Sequence, residues 1–222
     1  MYQNRREAGE RLADLVAEKG IRSPVILAIP RGGVIVAAPV AQKFNTRITV
    51  LVSRKIGHPA NPEVAIGAVM PDGIAIINDT VRSRINQTYL TNVINQEFEE
   101  IERRLSVYKN AAKLPELADK TVVVIDDGIA TGYTVAAAIK WLRKMNPMRI
   151  VLAVPVAPPD VIAEFKNRVD EIICPIQPAS FRAVGCYYQD FAQTREQEVL
   201  DVLKEVNLKI EGKAQEQSLV KQ

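Results

Sequence analysis

The amino-acid sequence predicts an α/β fold: a mainly parallel twisted sheet flanked by helices. Three observations carry that expectation. Short apolar runs rich in β-branched residues alternate with stretches of helical period along the chain. Those runs are continuously apolar instead of alternating with polar residues, as in strands covered on both faces. The chain of 222 residues is 47% hydrophobic and 25% charged, the composition of an ordinary globular protein, which excludes a fibrous or wholly disordered chain. A chain this long can bury about 70% of its unfolded surface in one domain without disulfides or metals.

In chain order, the strand-like runs are residues 25–29, 48–52, 64–69, 74–77, 121–125, 150–156 and 171–176. Helical patterns cover 12–19, 36–44, about 81–110, 135–144, 161–167 and 196–206. Pro39 falls inside the second of these, so that helix is expected to begin near Val36, which keeps the proline in the first turn. Pro71-Asp72-Gly73 lies between two apolar runs and predicts a local antiparallel hairpin, making the sheet mixed. In the long helix Ile94, Phe98, Ile101, Leu105 and Tyr108 form one apolar stripe, opposite Glu99, Glu100, Glu102, Arg103 and Arg104. That stripe packs on its own domain or forms a subunit interface. Thr194 and Gln197 have the spacing of a capping box that opens the last helix near Arg195. Residues 211–222 are polar and aperiodic and are expected to be a disordered tail, leaving 1–210 as a single domain. There is no internal repeat and no linker.

Lys and Arg number 29 against 26 Asp and Glu, a net charge of +3 with no dense basic run, so a nucleic-acid partner is not called for. The first ten residues carry Arg5, Arg6, Glu7 and Glu10 without an apolar segment, and no 18 apolar residues run together. A cytoplasmic, non-membrane protein is expected. Cys174 and Cys186 are the only cysteines and His58 the only histidine, so no zinc-binding spacing exists. One disulfide can form, but two reduced, packed thiols are the expected state.

The chemistry is concentrated in Val122-Val123-Val124-Ile125-Asp126-Asp127-Gly128-Ile129-Ala130-Thr131-Gly132-Tyr133-Thr134: a strand, an acidic pair, a short loop and the start of a helix. In open α/β sheets ligands bind at the carboxyl ends of strands, where this loop falls. A helix N-terminus offers unpaired N–H groups and partial positive charge, and the hydroxyls of Thr131 and Thr134 can donate too. The result is a cradle for a phosphate, whose hydrogen bonds contribute about 1.5 to 3 kcal/mol each. Asp126 and Asp127 would repel that phosphate; vicinal ribose hydroxyls, or a Mg²⁺ between sugar and phosphates, suit them better. No lysine precedes the threonine, as the nucleotide-hydrolase loop requires, and no GxGxxG occurs. The plain alternative is a turn in which Asp127 caps a helix.

This segment resembles the phosphoribosyl pyrophosphate (PRPP) binding motif of type I phosphoribosyltransferases, a hydrophobic strand ending in two acids and a loop ending Thr-Gly-x-Thr. The resemblance implies that Asp126 and Asp127 hold the ribose 2′ and 3′ hydroxyls, one of them together with a Mg²⁺ carried by PRPP, and that Gly128, Ile129, Ala130, Thr131, Gly132, Tyr133 and Thr134 hold the 5′-phosphate. Gly128 stands where the family has a branched apolar residue, a departure that loosens the loop without removing a contact group. Ala130 replaces the acid that serves the base in 6-oxopurine transferases. Pro30-Arg31-Gly32-Gly33 matches the pyrophosphate-binding turn, where Arg31 can pair with phosphate and Gly32 and Gly33 allow close approach, although strand-to-helix turns also use glycine for geometry alone. Residues 53–62 stand where the family has its mobile catalytic loop, so Arg54 or Lys55 is a candidate to stabilise the leaving pyrophosphate; otherwise both are solvated loop charges. His58 reads as a loop or packing residue.

The wider set, Arg5-Arg6-Glu7-Ala8-Gly9, Asn61-Pro62-Glu63 and 181–191, is similar to a subgroup of phosphoribosyltransferases without an assigned base. The resemblance implies a small hood, formed by about 1–10 and 177–191, and a helical insertion at 79–110. The acceptor candidates are the run 181–191, with Phe181, Arg182 and Tyr188, and the N-terminal residues around Tyr2, Asn4 and Arg5; the rings of Phe181 and Tyr188 either stack on a heterocycle or pack in the core. The implied activity is Mg²⁺-dependent transfer of a 5-phosphoribosyl group from PRPP to a small nitrogenous acceptor by a cytoplasmic protein, with a homodimer as the family habit. A non-catalytic PRPP- or nucleotide-sensing protein, or a phosphate-binding domain acting on another phosphosugar, would share the cradle.

Overall fold

The computed structural model describes residues 1–219. In chain order the elements are α1 (Arg5–Glu18), β1 (Val25–Ala28), α2 (Gly32–Lys43), β2 (Ile48–Val50), β3 (Arg54–His58), β4 (Asn61–Val69), β5 (Ala75–Ile77), α3 (Asp79–Arg82), α4 (Gln87–Tyr108), β6 (Thr121–Ile125), α5 (Tyr133–Arg143), β7 (Arg149–Ala153), α6 (Pro159–Phe165), β8 (Glu171–Ile173) and α7 (Glu196–Leu219). Five strands form a parallel sheet in the order β2-β1-β6-β7-β8. Its central strands bury every other residue to each side. Ile26, Ala28, Val123, Ile125, Val151 and Ala153 face a core built with α1, α2, α4 and α7; Leu27, Val122, Val124, Ile150 and Leu152 face one built with α5 and α6. This two-sided burial is why the strands read as unbroken apolar runs.

Several expectations are corrected. The sheet is not mixed: β3, β4 and β5 form a separate three-stranded antiparallel sheet. The expected loop at 53–62 is therefore mostly a β3–β4 hairpin, with a register shift around Gly57. Neither helix start holds: α1 begins at Arg5, under an Asn4 cap that accepts from the Glu7 N–H at 3.0 Å, and α2 begins at Gly32. Pro39 thus lies in the second half of α2, and a Cβ added at Gly9 would lie only 3.0 Å from its ring, so the seam between α1 and α2 is closed by the smallest and the stiffest residue. The helical backbone of α7 runs to Leu219, where a disordered tail from residue 211 was expected; residues 220–222 lie outside the described residues.

The hairpin at Pro71-Asp72-Gly73 closes as expected, with Met70 N–H donating to Ile74 O at 2.9 Å and Gly73 at a φ of +79°, where glycine is favoured. Asp72 also accepts from the Trp141 indole at 2.7 Å, docking the small sheet on α5. The stripe of α4 packs on its own domain: Ile101 and Tyr108 are buried, and Ile94, Phe98 and Leu105 lie against the same core. On its polar side Glu100 pairs with Arg103 and Arg104, and Arg103 reaches Glu196 of α7 at 3.0 Å. Asn207 of α7 seals the edge of the large sheet, accepting from Ile48 N–H at 3.0 Å and donating to its carbonyl at 3.3 Å.

The hydrogen-bonded guanidinium of Arg103, with Arg104 beside it, holds the Glu100 carboxyl down at about 2. A carboxyl whose folded pKa is depressed contributes stability above its unfolded pKa and loses it as pH falls through the folded value. The stabilisation is thus complete above about pH 4.5 and decays toward pH 2. Glu100→Gln is expected to flatten the acid side of the urea-midpoint profile in that window, an effect that shrinks in high salt because the pair is partly exposed. An unchanged acid slope would contradict the assignment.

Candidate functional site

The site lies where β1 and β6 end side by side. Ile29 N–H donates to Ile125 O at 2.9 Å, so the turn after β1 runs beside the acids after β6. That turn contains a cis Pro30–Arg31 peptide and passes directly into α2 through Gly32 and Gly33. A Cβ on Gly33 would lie 2.8 Å from Ile125 O and 3.0 Å from Asp126 Cα. One on Gly32 would fall onto the Asp127 carboxylate and within 2.7 Å of Arg5 Nε. The first turn of α2, with its unpaired N–H groups, thus abuts both carboxyls because nothing larger than hydrogen stands between them. Arg31 is half-buried beside this turn and makes no ion pair among the described residues.

Asp126 accepts the Asp127 N–H on Oδ1 at 2.8 Å. Burial first, and then the neighbouring Asp127 charge, push its carboxyl well above the usual carboxylate range. Asp127 is ion-paired through Oδ2 to Arg5 Nε at 2.7 Å, and its carbonyl accepts from the Tyr188 hydroxyl at 2.6 Å. Each acid therefore commits one carboxylate oxygen to a backbone or guanidinium partner, and the two carboxyls also hydrogen-bond each other.

After the acids, Ile129 is buried and its N–H donates to Val156 O at 2.9 Å, which pins the loop while Ala130 and Thr131 stay exposed. Gly132, at a φ of +72°, turns the chain into α5, and a Cβ there would meet the Phe165 ring at 2.9 Å. Ala136 is the first residue to bond back, to Gly132 O at 2.8 Å, so the N–H groups of Tyr133, Thr134 and Val135 point outward without a helical partner. Gly128 does not loosen this loop: a Cβ there would lie 2.5 Å from Val184, so glycine is what lets the 3₁₀ turn Val184–Tyr187 pack onto the loop.

The two chain regions expected to form a hood lie side by side. Tyr2 N–H donates to Tyr187 O, Gln189 N–H to Tyr2 O and Asp190 N–H to Gln3 O, each at 2.8 Å. Tyr188 is buried, its ring 5.4 Å from Tyr2 and 4.9 Å from Phe191, so it supports Asp127 from within a packed cluster. Phe181 stacks on Tyr187 at 5.7 Å, and Arg182 is exposed. The structure thus brings Asp126, Asp127, residues 128–134, Gly32 and Gly33 together with the hood. Arg54 is turned to α4 instead, its Nε 2.6 Å from Glu97, and Lys55 is exposed beside it on β3. Arg5 is what sequence reasoning reached only as part of a resemblance: 122 residues separate it from Asp127, and no local pattern signals their pairing. Cys174 and Cys186 are free thiols.

Among the described residues no three His, Cys, Asp or Glu side chains converge as a metal-binding set. Two adjacent carboxyls fit a Mg²⁺ that arrives with phosphate and hydroxyl donors, the arrangement this ion favours.

A profile of the phosphoribosyl transferase domain matches residues 2–190, which contain both acids, the loop after them and the glycine turn. The chain belongs to that family. Two curated Mycobacterium tuberculosis proteins, from strains CDC 1551 and H37Rv and both provisionally named phosphoribosyl transferases, are 37% identical over 205 residues. That alignment covers 91% of this chain and 46% of theirs, so the chain spans about half the length of the curated relatives it matches. The crystal structure of a Thermus thermophilus protein superposes with a TM-score of 0.80 at 35% identity, covering 92% of this chain and 98% of that one. An Aquifex aeolicus protein shares the fold at a TM-score of 0.52 and 15% identity, over 90% of this chain and 84% of its own.

Gly33→Ala is expected to lower stability by about 1 to 3 kcal/mol, because the added methyl must push the start of α2 away from β6. A melting temperature equal to the parent's would show that this seam is slack.

Proposed function

We propose that the protein transfers a 5-phosphoribosyl group from PRPP to a small nitrogenous acceptor, with Mg²⁺, releasing pyrophosphate. The observation that carries this reading is the pair of adjacent carboxyls, Asp126 and Asp127, between the open N-termini of α2 and α5. Two neutral hydroxyl donors of a ribose match two acceptors, and phosphate at either end of the sugar matches two sets of N–H groups.

In this reading Thr131, Thr134 and the first amides of α5 hold the 5′-phosphate, while Arg31 and the amides of Gly32 and Gly33 hold the pyrophosphate. The bond from C1 of the ribose to the pyrophosphate oxygen breaks, pyrophosphate leaves with the electron pair, and the acceptor nitrogen forms a new bond to C1. Charge grows on pyrophosphate, so donors already aimed at it lower the barrier. Bound Mg²⁺ would neutralise phosphate charge, with Asp126 or Asp127 as its protein ligand. Arg54 and Lys55 serve the leaving group only if the β3–β4 hairpin carries them over the site, which requires Arg54 to release Glu97. Phe181 and Arg182 border the acceptor side of the hood, and Tyr188 steadies it. The reading assigns the protein to the cytoplasm.

The test is pyrophosphate release from PRPP and Mg²⁺ across a panel of purines, pyrimidines and small amines. Release with one acceptor, reduced at least about 100-fold in the Asp126→Asn, Asp127→Asn double variant, is the expected result. Equal release from the variant would overturn the reading, and PRPP binding without release for any acceptor would favour a sensor.

A further inference from the structure

Asp127 is held from outside the sheet by a side chain to which the transfer chemistry assigns no task. Arg5 Nε meets Asp127 Oδ2 at 2.7 Å, with the two side chains only 12% and 18% exposed. The same guanidinium donates through Nη1 to Ala192 O at 2.9 Å and lies over the Phe191 ring, 3.8 Å from its centroid. Three partners in three directions leave this planar group one orientation. Its backbone is equally constrained: Arg5 opens α1 directly after the Asn4 cap, and residues 2 and 3 are stitched to 187–190.

We propose that Arg5 is the positioning residue for ribose recognition: it fixes the Asp127 carboxylate so that Oδ1 faces the sugar. The proposal rests on the reading of Asp127 as a ribose ligand. Without Arg5 the carboxylate could turn about its own bonds, and Oδ1 would no longer be held toward the ribose. The hood thereby takes part in binding the sugar and not only the acceptor.

The test is calorimetric titration of ribose 5-phosphate, with inorganic phosphate as the ligand that lacks the diol. Arg5→Ala is expected to weaken ribose 5-phosphate about tenfold, as loss of one charge-assisted contact implies, and to leave inorganic phosphate within about twofold. In an Asp127→Asn background Arg5→Ala should cost little more, because the two act as one unit. Arg5→Lys keeps the charge but not the planar fork, so it should fall between parent and Arg5→Ala; it also carries the test if the alanine variant does not fold. Equal weakening of both ligands, additive losses in the double variant, or a full-affinity Arg5→Ala would overturn the role of Arg5. A loss in Asp127→Asn with none in Arg5→Ala would remove Arg5 alone, whereas unchanged affinity in Asp127→Asn would remove the ribose reading and this proposal with it.

Discussion

The structure is organised around one close approach: the first turn of α2 lies against the two acids that end β6, with only glycine hydrogens between them. Parallel pairing of β1 and β6 sets their ends level, so the turn after one and the acids after the other meet. Gly32 and Gly33 convert that adjacency into contact, because a side chain at either position would displace the helix from Asp126 or Asp127. Helix N-termini are favourable surroundings for negative charge, which eases the placement of two carboxyls side by side in a half-buried site. The strain of like charges is still visible in Asp126, whose carboxyl is pushed upward by burial and by its neighbour.

The second organising feature is the hood, which ties the chain's beginning to residues near the last helix. Backbone pairing of residues 2 and 3 with 187–190 brings Arg5 and Tyr188 to the same acid, one on its carboxylate and the other on its carbonyl. Gly128 completes the connection by admitting Val184 against the loop that follows the acids. A small aromatic cluster of Tyr2, Tyr188 and Phe191 thus packs the chain's beginning beside Asp127.

On the other flank α4 acts as a brace. Its apolar stripe completes the core over α2 and the sheet, and its polar face is bound to α7 through Arg103 and to β3 through the Arg54–Glu97 pair. That last pair gives the small antiparallel sheet a charged anchor as well as its dock on α5 through Asp72 and Trp141. A site open at the carboxyl edge is thus framed by elements fastened from several sides.

The sequence by itself determined the parallel sheet, the strand-acid-loop-helix unit, the glycine turn after β1 and the packing side of α4. All of these are carried by periodicity or by contiguous motifs, so a local reading reaches them. It could not reveal that the small sheet stands apart, since pairing partners are chosen by docking surfaces such as Trp141 and not by the strand runs themselves. It also missed the first seven residues of α1, where polar residues hide the apolar stripe, Gly9 faces α2 and Ala8 packs with Tyr2 and Tyr188. Pro39 misled the placement of α2 because a proline penalty can be outweighed by burial across a tight seam. Above all, only the tertiary structure decided that Arg5 belongs to Asp127. An ion pair between residues 122 positions apart has no period and no motif, and it exists because the hood closes over the end of the sheet.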